Sequence, residues 1–287
     1  MLAIYRKEMK VCFSGLFGYC ICAILLLFMG LFVSMFNLLS ASSDFSMPLR
    51  YMMWVLIVAV PFLTMRAIAE ERHNRTDLLL YSLPLRLRDV VLGKYLALVT
   101  LFLIPTAVSA LYPLLLSTMG DLSLPSAYVA LLGYVLMGCA LIAVCLFVSS
   151  LVENQIVAAI LSMLTSLLFY FLSAIAALIP KASLLSFALC VAVALGLAAL
   201  MWRATKNLTL GLIVSALLVV PTAIVYILNP ALFRGLVPSF LGGIDLFSRF
   251  GGFTYGRFDL PTTVFYLTFT AFFLFLTVQV MEKRRRA

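Results

Sequence analysis

The chain has 287 residues, of which 65% are hydrophobic and 11% are charged. Soluble domains contain about 45–50% apolar and about 25% charged residues, so this composition excludes an ordinary soluble domain and predicts an integral membrane protein. The net charge of +9 does not indicate nucleic-acid binding, because the basic residues lie at the ends of apolar segments, where Lys and Arg fix membrane topology.

The fold class follows from the apolar runs that recur along the chain. A bilayer core about 30 Å thick requires about 20 helical residues to cross it. Backbone groups cannot face lipid unpaired, and the alternation over about ten residues that is typical of membrane barrels is missing from the sequence. The sequence therefore predicts an all-α integral membrane protein with a single transmembrane domain over residues 1–287.

Residues 1–15 place Arg6, Lys7 and Lys10 among apolar residues at helical spacing. This pattern predicts an interfacial helix on the cytoplasmic membrane surface. A signal peptide is the alternative, because a basic start precedes an apolar run. The run from Leu16 to Leu39 is too long for the apolar region of a signal peptide, and no clean small-residue cleavage site follows it, so a retained helix is favoured.

Eight apolar segments are predicted to cross the membrane. In chain order they are Leu16–Leu39, Tyr51–Ile68, Tyr95–Met119, Ala127–Ser149, Ile156–Ile179, Leu184–Trp202, Leu208–Leu228 and Thr262–Val280. The sixth and seventh could instead be re-entrant or form a shorter pair. The number of crossings would then be six, with the same orientation.

Residues 66–94 form the long polar interruption, with five arginines, one lysine, four acidic residues and the only histidine, His73. Loops that only connect helices are short. This segment also contains apolar clusters among its charges, which predicts short amphipathic helices on the membrane surface. We interpret it as a docking surface for a soluble partner.

A second long segment, residues 229–261, is rich in glycine and aromatic residues and is predicted to be an extracytoplasmic amphipathic element. It could be an ordinary outer loop, or an outer gate or platform that meets a substrate or partner. Only five of the 20 lysines and arginines lie on this predicted extracytoplasmic side, and they are Arg50, Lys181, Arg234, Arg249 and Arg257. The positive-inside rule therefore predicts that both termini and residues 66–94 are cytoplasmic.

Several kinds of chemistry have no signature in the sequence. A phosphate-binding GxxxxGK[ST] motif does not occur, and His73 has no zinc-protease context, so neither a nucleotide site nor a metal site is predicted. Acidic residues fall in loops or at helix ends, which disfavours an ion-coupled transporter with a buried carboxylate. Spans rich in Phe, Met, Tyr, Ser and Thr suit a path for an amphipathic or lipid-like substrate.

The stretch from Glu70 to Pro84, followed by Val90-Val91-Leu92-Gly93-Lys94, resembles the cytoplasmic loop of type-2 ATP-binding-cassette (ABC) exporter permeases. That loop reads E-E-x-x-x-G-T-x-x-x-L-L-x-x-P, and Arg75 stands here where glycine is common. Arg6-Lys7-Glu8 resembles the opening of the same family. The stretch from Tyr266 to Arg285 is similar to the gliding-motility-associated branch of these permeases.

The resemblance implies a coupling helix that docks into a separate cytoplasmic ABC ATPase, and a second, smaller contact. The coupling residues would be Glu70, Glu71, Arg72, Asn74, Thr76, Asp77, Leu79, Leu80 and Pro84 in the first region and Glu153, Asn154 and Gln155 in the second. It also implies two permease subunits, identical or different, in the lipid of a bacterial plasma (inner) membrane. The partner would use the ATP, so the chain itself would not be an enzyme and would bind no cofactor. The alternative function is a non-transporting anchor or sensor that recruits a cytoplasmic partner.

Overall fold

The computed structural model describes residues 1–40, 42–73, 86–118, 122–180 and 233–286, together with separate positions between 183 and 229. The chain divides into two compact units, one formed by Met1–Phe169 with Leu246–Ala287 and the other by Tyr170–Asp245. Helices, turns and irregular segments account for all of the described residues, which contain no strand. This confirms the predicted all-helical class.

The described helices range from four to 28 residues in length. They are α1 (Leu2–Ser14), α2 (Leu16–Val33, continued by a π-helix, Ser34–Leu39), α3 (Ser46–Thr64), α4 (Ala69–His73), α5 (Leu87–Ser109), α6 (Leu111–Ser117), α7 (Leu124–Leu151), α8 (Gln155–Leu178), α9 (Leu236–Ile244), α10 (Gly251–Thr254, after a 3₁₀ turn, Ser248–Phe250) and α11 (Leu260–Arg286).

Six helical segments of the described part are long and apolar enough to cross a membrane. They are Leu16–Leu39, Ser46–Thr64, Leu87–Ser117, Leu124–Leu151, Gln155–Leu178 and Leu260–Arg285. They correspond to the first five predicted spans and the eighth. The predicted spans Leu184–Trp202 and Leu208–Leu228 lie largely outside the described residues, so the choice between eight and six crossings stays a prediction.

Helix α7 is the centre of the first unit. Its residues from Ala140 to Leu146 are all fully buried, and the helix packs against α3, α5 and α11. Glycines allow two aromatic side chains to reach its backbone, because a Cβ would lie 2.5 Å from the Phe102 ring at Gly138 and 2.5 Å from the Phe253 ring at Gly133. Small residues of this kind let membrane helices approach closely.

Proline inside α5 leaves a carbonyl without its usual helical partner, since Pro105 has no N–H to donate. That carbonyl belongs to Leu101, and the Cys22 thiol of α2 donates to it at 3.7 Å. The contact satisfies a backbone group in the membrane region.

Two helices begin earlier than the sequence predicted. Helix α3 starts at Ser46 rather than Tyr51, and the Asp44 carboxylate accepts a hydrogen bond from the Ser46 N–H at 2.8 Å. Helix α5 starts at Leu87 rather than Tyr95, so the end of the 66–94 segment forms the first turns of a long helix. In these turns Arg88 is exposed, whereas Leu87 and Val90 are buried. The stretch can therefore be helical despite its charges, because charged and apolar side chains lie on different faces.

The predicted amphipathic segment 229–261 is divided between the two units. Its described part contains α9, a 3₁₀ turn and α10, and its aromatic residues Phe233, Phe247, Phe250 and Phe253 are buried. Its predicted extracytoplasmic position stays a prediction.

Candidate functional site

The acidic pair that the sequence singled out lies in α4, a five-residue helix that follows α3 after the turn 65–68. Glu70, Glu71 and Arg72 are all in this helix. The other coupling residues of the first region lie outside the described residues, and they are Asn74, Thr76, Asp77, Leu79, Leu80 and Pro84. The structure therefore describes the base of the predicted coupling segment.

Charged side chains of this base lie at its surface. The Arg66 guanidinium is 3.9 Å from the Glu70 carboxylate and 4.6 Å from the centre of the Phe17 ring. The Arg66 and Glu70 side chains are 48% and 43% exposed, so their ion pair contributes at most about 1 kcal/mol. Both groups therefore remain accessible to a partner.

Arg72 differs from these two, because only 8% of the residue is exposed. Neither terminal guanidinium nitrogen has a hydrogen-bond partner within the described part of the chain. A buried guanidinium without partners is costly, so its surroundings matter for the stability of α4.

Lys94 is a functional candidate that was not among the predicted coupling residues, although it belongs to the stretch that resembles the family's loop. The structure places it in the second turn of α5, with a side chain that is 0% exposed. Its ammonium donates to the Glu8 carboxylate at 2.9 Å and to the Ala67 carbonyl at 2.6 Å. Paired acceptors are the reason that this buried charge is tolerated.

A cavity of about 230 Å³ lies beside this lysine, between α1, the turn 65–68 and α5. Its charged lining comes from Lys7, Glu8, Arg66, Glu70 and Lys94. The cavity is also lined by Cys12, whose pKa is raised, first by burial and then by the charge of Glu8. The thiol is therefore less ionised at neutral pH than a free cysteine.

The second predicted contact, residues 153–155, is the turn between α7 and α8. The Asn154 side-chain oxygen accepts a hydrogen bond from the Ile156 N–H at 2.9 Å, which caps the start of α8. The Leu151 carbonyl accepts a hydrogen bond from the Arg284 guanidinium at 2.7 Å. Glu153 is exposed and Gln155 is half-buried, so the turn presents a carboxylate outward.

Helix directions bring the two predicted regions to one end of the first unit. The bond between Arg284 and the Leu151 carbonyl shows that α7 and α11 end together. The hydroxyls of Tyr95, near the start of α5, and Tyr128, near the start of α7, donate to carbonyls in the later part of α7 and just after the end of α5, so these two helices are antiparallel. Lys94 joins the start of α5 to the turn before α4, which places α4 at the end where α7 finishes, beside the turn 153–155. The prediction from loop charges, that these regions share a side, agrees with this topology.

Metal binding has no support in the described residues, which hold no cluster of three or more His, Cys, Asp or Glu side chains with suitable geometry. What the described residues show instead is an exposed ion pair between Arg66 of the turn 65–68 and Glu70 of α4, next to the ends of two long apolar helices. Exposed charges of this kind are accessible for contact with another protein.

Comparison with known proteins gives one family. Residues 33–184, more than half of the chain, match the family described as ABC-2 family transporter protein. The match includes α3, α4, α5 and α7 and the turn 153–155. No curated protein and no solved structure matches the chain significantly. The chain therefore belongs to the ABC-2 family of transporter proteins, whose members are multi-pass membrane permease components of ABC transporters.

Proposed function

We propose that the chain is the membrane-spanning permease subunit of an ATP-driven exporter, and that residues 66–94 dock a separate cytoplasmic ABC ATPase. Membership of the ABC-2 family implies association with such a subunit. The observation that carries the proposal is the short, hydrogen-bonded junction between α3 and α4. A force applied to α4 passes to α3 without crossing a flexible linker.

The junction is built from backbone hydrogen bonds. The Met65 N–H donates to the Pro61 carbonyl at 2.9 Å, which continues the ladder of α3. The Arg72 N–H donates to the Ile68 carbonyl at 3.3 Å and so begins α4. Ala67, between these bonds, accepts from Lys94 of α5. Both long helices on either side of the coupling segment are therefore tied to its base.

In this proposal the exposed Glu70 and its neighbour Glu71 make charged contacts with the ATPase. Arg72 belongs to the same short helix but is buried, so the direct contact predicted for it is not favoured. The segment containing Asn74, Thr76, Asp77, Leu79, Leu80 and Pro84 completes the coupling helix. The exposed turn Glu153–Gln155 is the second contact. ATP binds to the partner, since the chain carries no phosphate-binding motif. The chain itself takes no cofactor.

The assembly that we propose has two permease subunits, identical or different, and two ATPase subunits. Substrate would move between the permeases as the pair alternates between inward-open and outward-open states. Both termini would be cytoplasmic in a bacterial plasma membrane. The stretch Tyr266–Arg285 is similar to the gliding-motility-associated branch of these permeases, which supports placing the chain in that branch. The apolar spans of the chain favour an amphipathic substrate.

The test is the double variant Glu70→Ala with Glu71→Ala, in the complex purified from its native membrane. We expect the variant to insert normally but to lose most of its stimulation of ATP hydrolysis, because the charged contact with the ATPase is gone. The control is Glu282→Ala, which removes an acidic residue from the same end of the unit but outside residues 66–94 and 153–155. Full ATPase stimulation in the first variant would contradict the docking assignment.

The same experiment separates the proposal from the anchor or sensor function. A transporter subunit should co-purify with a partner that hydrolyses ATP faster when the permease is present. A recruiting anchor would retain a partner whose nucleotide turnover is zero or independent of the chain.

A further inference from the structure

Helix α1 lies directly on the first turns of α5, and a glycine makes this approach possible. A Cβ at Gly93 would lie 3.1 Å from the Cβ of Ile4 and 3.2 Å from the carbonyl oxygen of Met1. Ile4 is the buried residue of α1. Further along α5, the Tyr5 hydroxyl donates to the Thr100 hydroxyl at 3.2 Å. Helix α1 is thus docked against α5 along at least two of its turns.

Lys94 follows Gly93 and joins three segments at one ammonium group. It reaches Glu8 on α1 and the Ala67 carbonyl in the turn between α3 and α4, while its own backbone belongs to α5. An ammonium group donates up to three hydrogen bonds and accepts none, so it suits a junction between a carboxylate and a carbonyl. Glycine lets α1 approach, and lysine then connects it to the base of α4.

The Lys94–Glu8 ion pair is buried, so its stability depends on the presence of both partners. The Lys94 side chain is 0% exposed and that of Glu8 is 15% exposed. Removing one partner of a buried ion pair leaves the other charge poorly solvated, which is strongly unfavourable. Helix α1 and the turn 65–68 are therefore held in one mutual arrangement while both partners are present.

We propose that Lys94 is a positioning residue, which uses Glu8 of α1 to hold the base of α4 in the orientation that the ATPase recognises. This inference rests on the proposed function. Ala67 lies immediately before Ile68, the residue whose carbonyl starts α4. Fixing the Ala67 carbonyl therefore fixes the direction in which α4 leaves α3, and α1 becomes part of the coupling apparatus without touching the ATPase itself.

The experiment uses the full chain, purified with its native partner, and compares Lys94→Met and Glu8→Gln with wild type. Lys94→Arg retains the charge and is the conservative variant. Lys10→Met is the matched control, because Lys10 is exposed on α1 and its loss changes the net charge equally. The measurements are the affinity for the ATPase subunit and amide hydrogen exchange over residues 2–14, 66–73 and 124–151.

We expect Lys94→Met to weaken ATPase affinity on the order of tenfold and to speed exchange in residues 2–14 and 66–73, with residues 124–151 unchanged. Glu8→Gln should change the same two regions, to a smaller extent. Lys94→Arg should lie closer to wild type than Lys94→Met, and Lys10→Met should match wild type.

Wild-type affinity and exchange in both Lys94→Met and Glu8→Gln would overturn the proposal, as would an equal loss in Lys10→Met. Faster exchange throughout residues 124–151 would show a general structural role and would also overturn it. If Lys94→Met does not insert, Glu8→Gln decides. If the wild-type chain retains no ATPase, the proposed function fails, while the exchange data still decide whether Lys94 joins α1 to the base of α4.

Discussion

Cys12 reports on the electrostatics of the cavity between α1, the turn 65–68 and α5. Burial raises its pKa most and the Glu8 charge raises it further, whereas Lys94 and Arg66 lower it. The thiolate is the reactive form, so a raised pKa means a smaller reactive fraction at neutral pH. Cys12 should therefore be alkylated slowly at neutral pH and faster as the pH rises.

The variant Glu8→Gln removes one of the influences that raise this pKa. The midpoint of the pH–rate profile for alkylation of Cys12 should therefore move to lower pH, as measured by mass spectrometry of the peptide that contains Cys12. Lys10→Met, which changes an exposed charge, serves as the control. A midpoint that moves to higher pH in Glu8→Gln would contradict the described arrangement.

Gly138 tests the packing of α7 against α5. A Cβ there would be 2.5 Å from two ring atoms of Phe102, a side chain that is 1% exposed. Gly138→Ala should lower the free energy of unfolding by about 1–3 kcal/mol, the usual cost of overpacking, and so lower the unfolding temperature in detergent.

The control for this substitution is Gly15→Ala, because no atom lies within 4 Å of a Cβ at Gly15. Phe102→Leu combined with Gly138→Ala should recover part of the loss, since the smaller side chain vacates the space. A fully stable Gly138→Ala variant, or a double variant no better than the single one, would show that the two helices are less closely packed than described.

At the level of the elements, Arg284 of α11 supports the turn between α7 and α8. Its guanidinium donates to the Leu151 carbonyl, one of the carbonyls that a helix end leaves unpaired. Arg284→Gln should speed hydrogen exchange in residues 151–155 and reduce ATPase stimulation several-fold, because the second contact is less well ordered. Arg285→Gln, at an exposed neighbour, is the control, and equal effects of the two variants would refute a specific role for Arg284.

The sequence was sufficient to predict most of the long helices, because apolar runs of membrane length are a strong and local signal. It assigned the start of α5 to a separate amphipathic helix on the membrane surface, because the charges of Arg88 and Asp89 hide the continuity of this stretch with the apolar span. The partners of Lys94 are equally hidden, because Glu8 and the Ala67 carbonyl are 86 and 27 residues away in the chain. The motif resemblance drew attention to Gly93 and Lys94 without giving their contacts.

At the scale of the whole molecule, topology and charge agree on one arrangement. The Lys94–Glu8 and Arg284–Leu151 contacts connect α1 to the start of α5 and the end of α11 to the end of α7. The described parts of the regions predicted to be cytoplasmic, which are residues 1–15, 66–73 and 86–94 and the end of α11, therefore lie at one end of the first unit. A cysteine introduced at Glu153 in intact cells should react with a maleimide that crosses the membrane and resist one that does not. Reaction of Glu153→Cys with the impermeant reagent would place the coupling regions outside and contradict the orientation.

We propose above all that this permease works with an ATPase carried on a separate chain. The direct measurement is to tag the chain, purify it from its native membrane in mild detergent, and determine both the stoichiometry of the co-purifying proteins and their rate of ATP hydrolysis. The account predicts an equimolar protein with a nucleotide-binding GxxxxGK[ST] motif, whose hydrolysis is faster with the permease than alone. A complex that lacks such a protein, or one whose hydrolysis is indifferent to the permease, would contradict it.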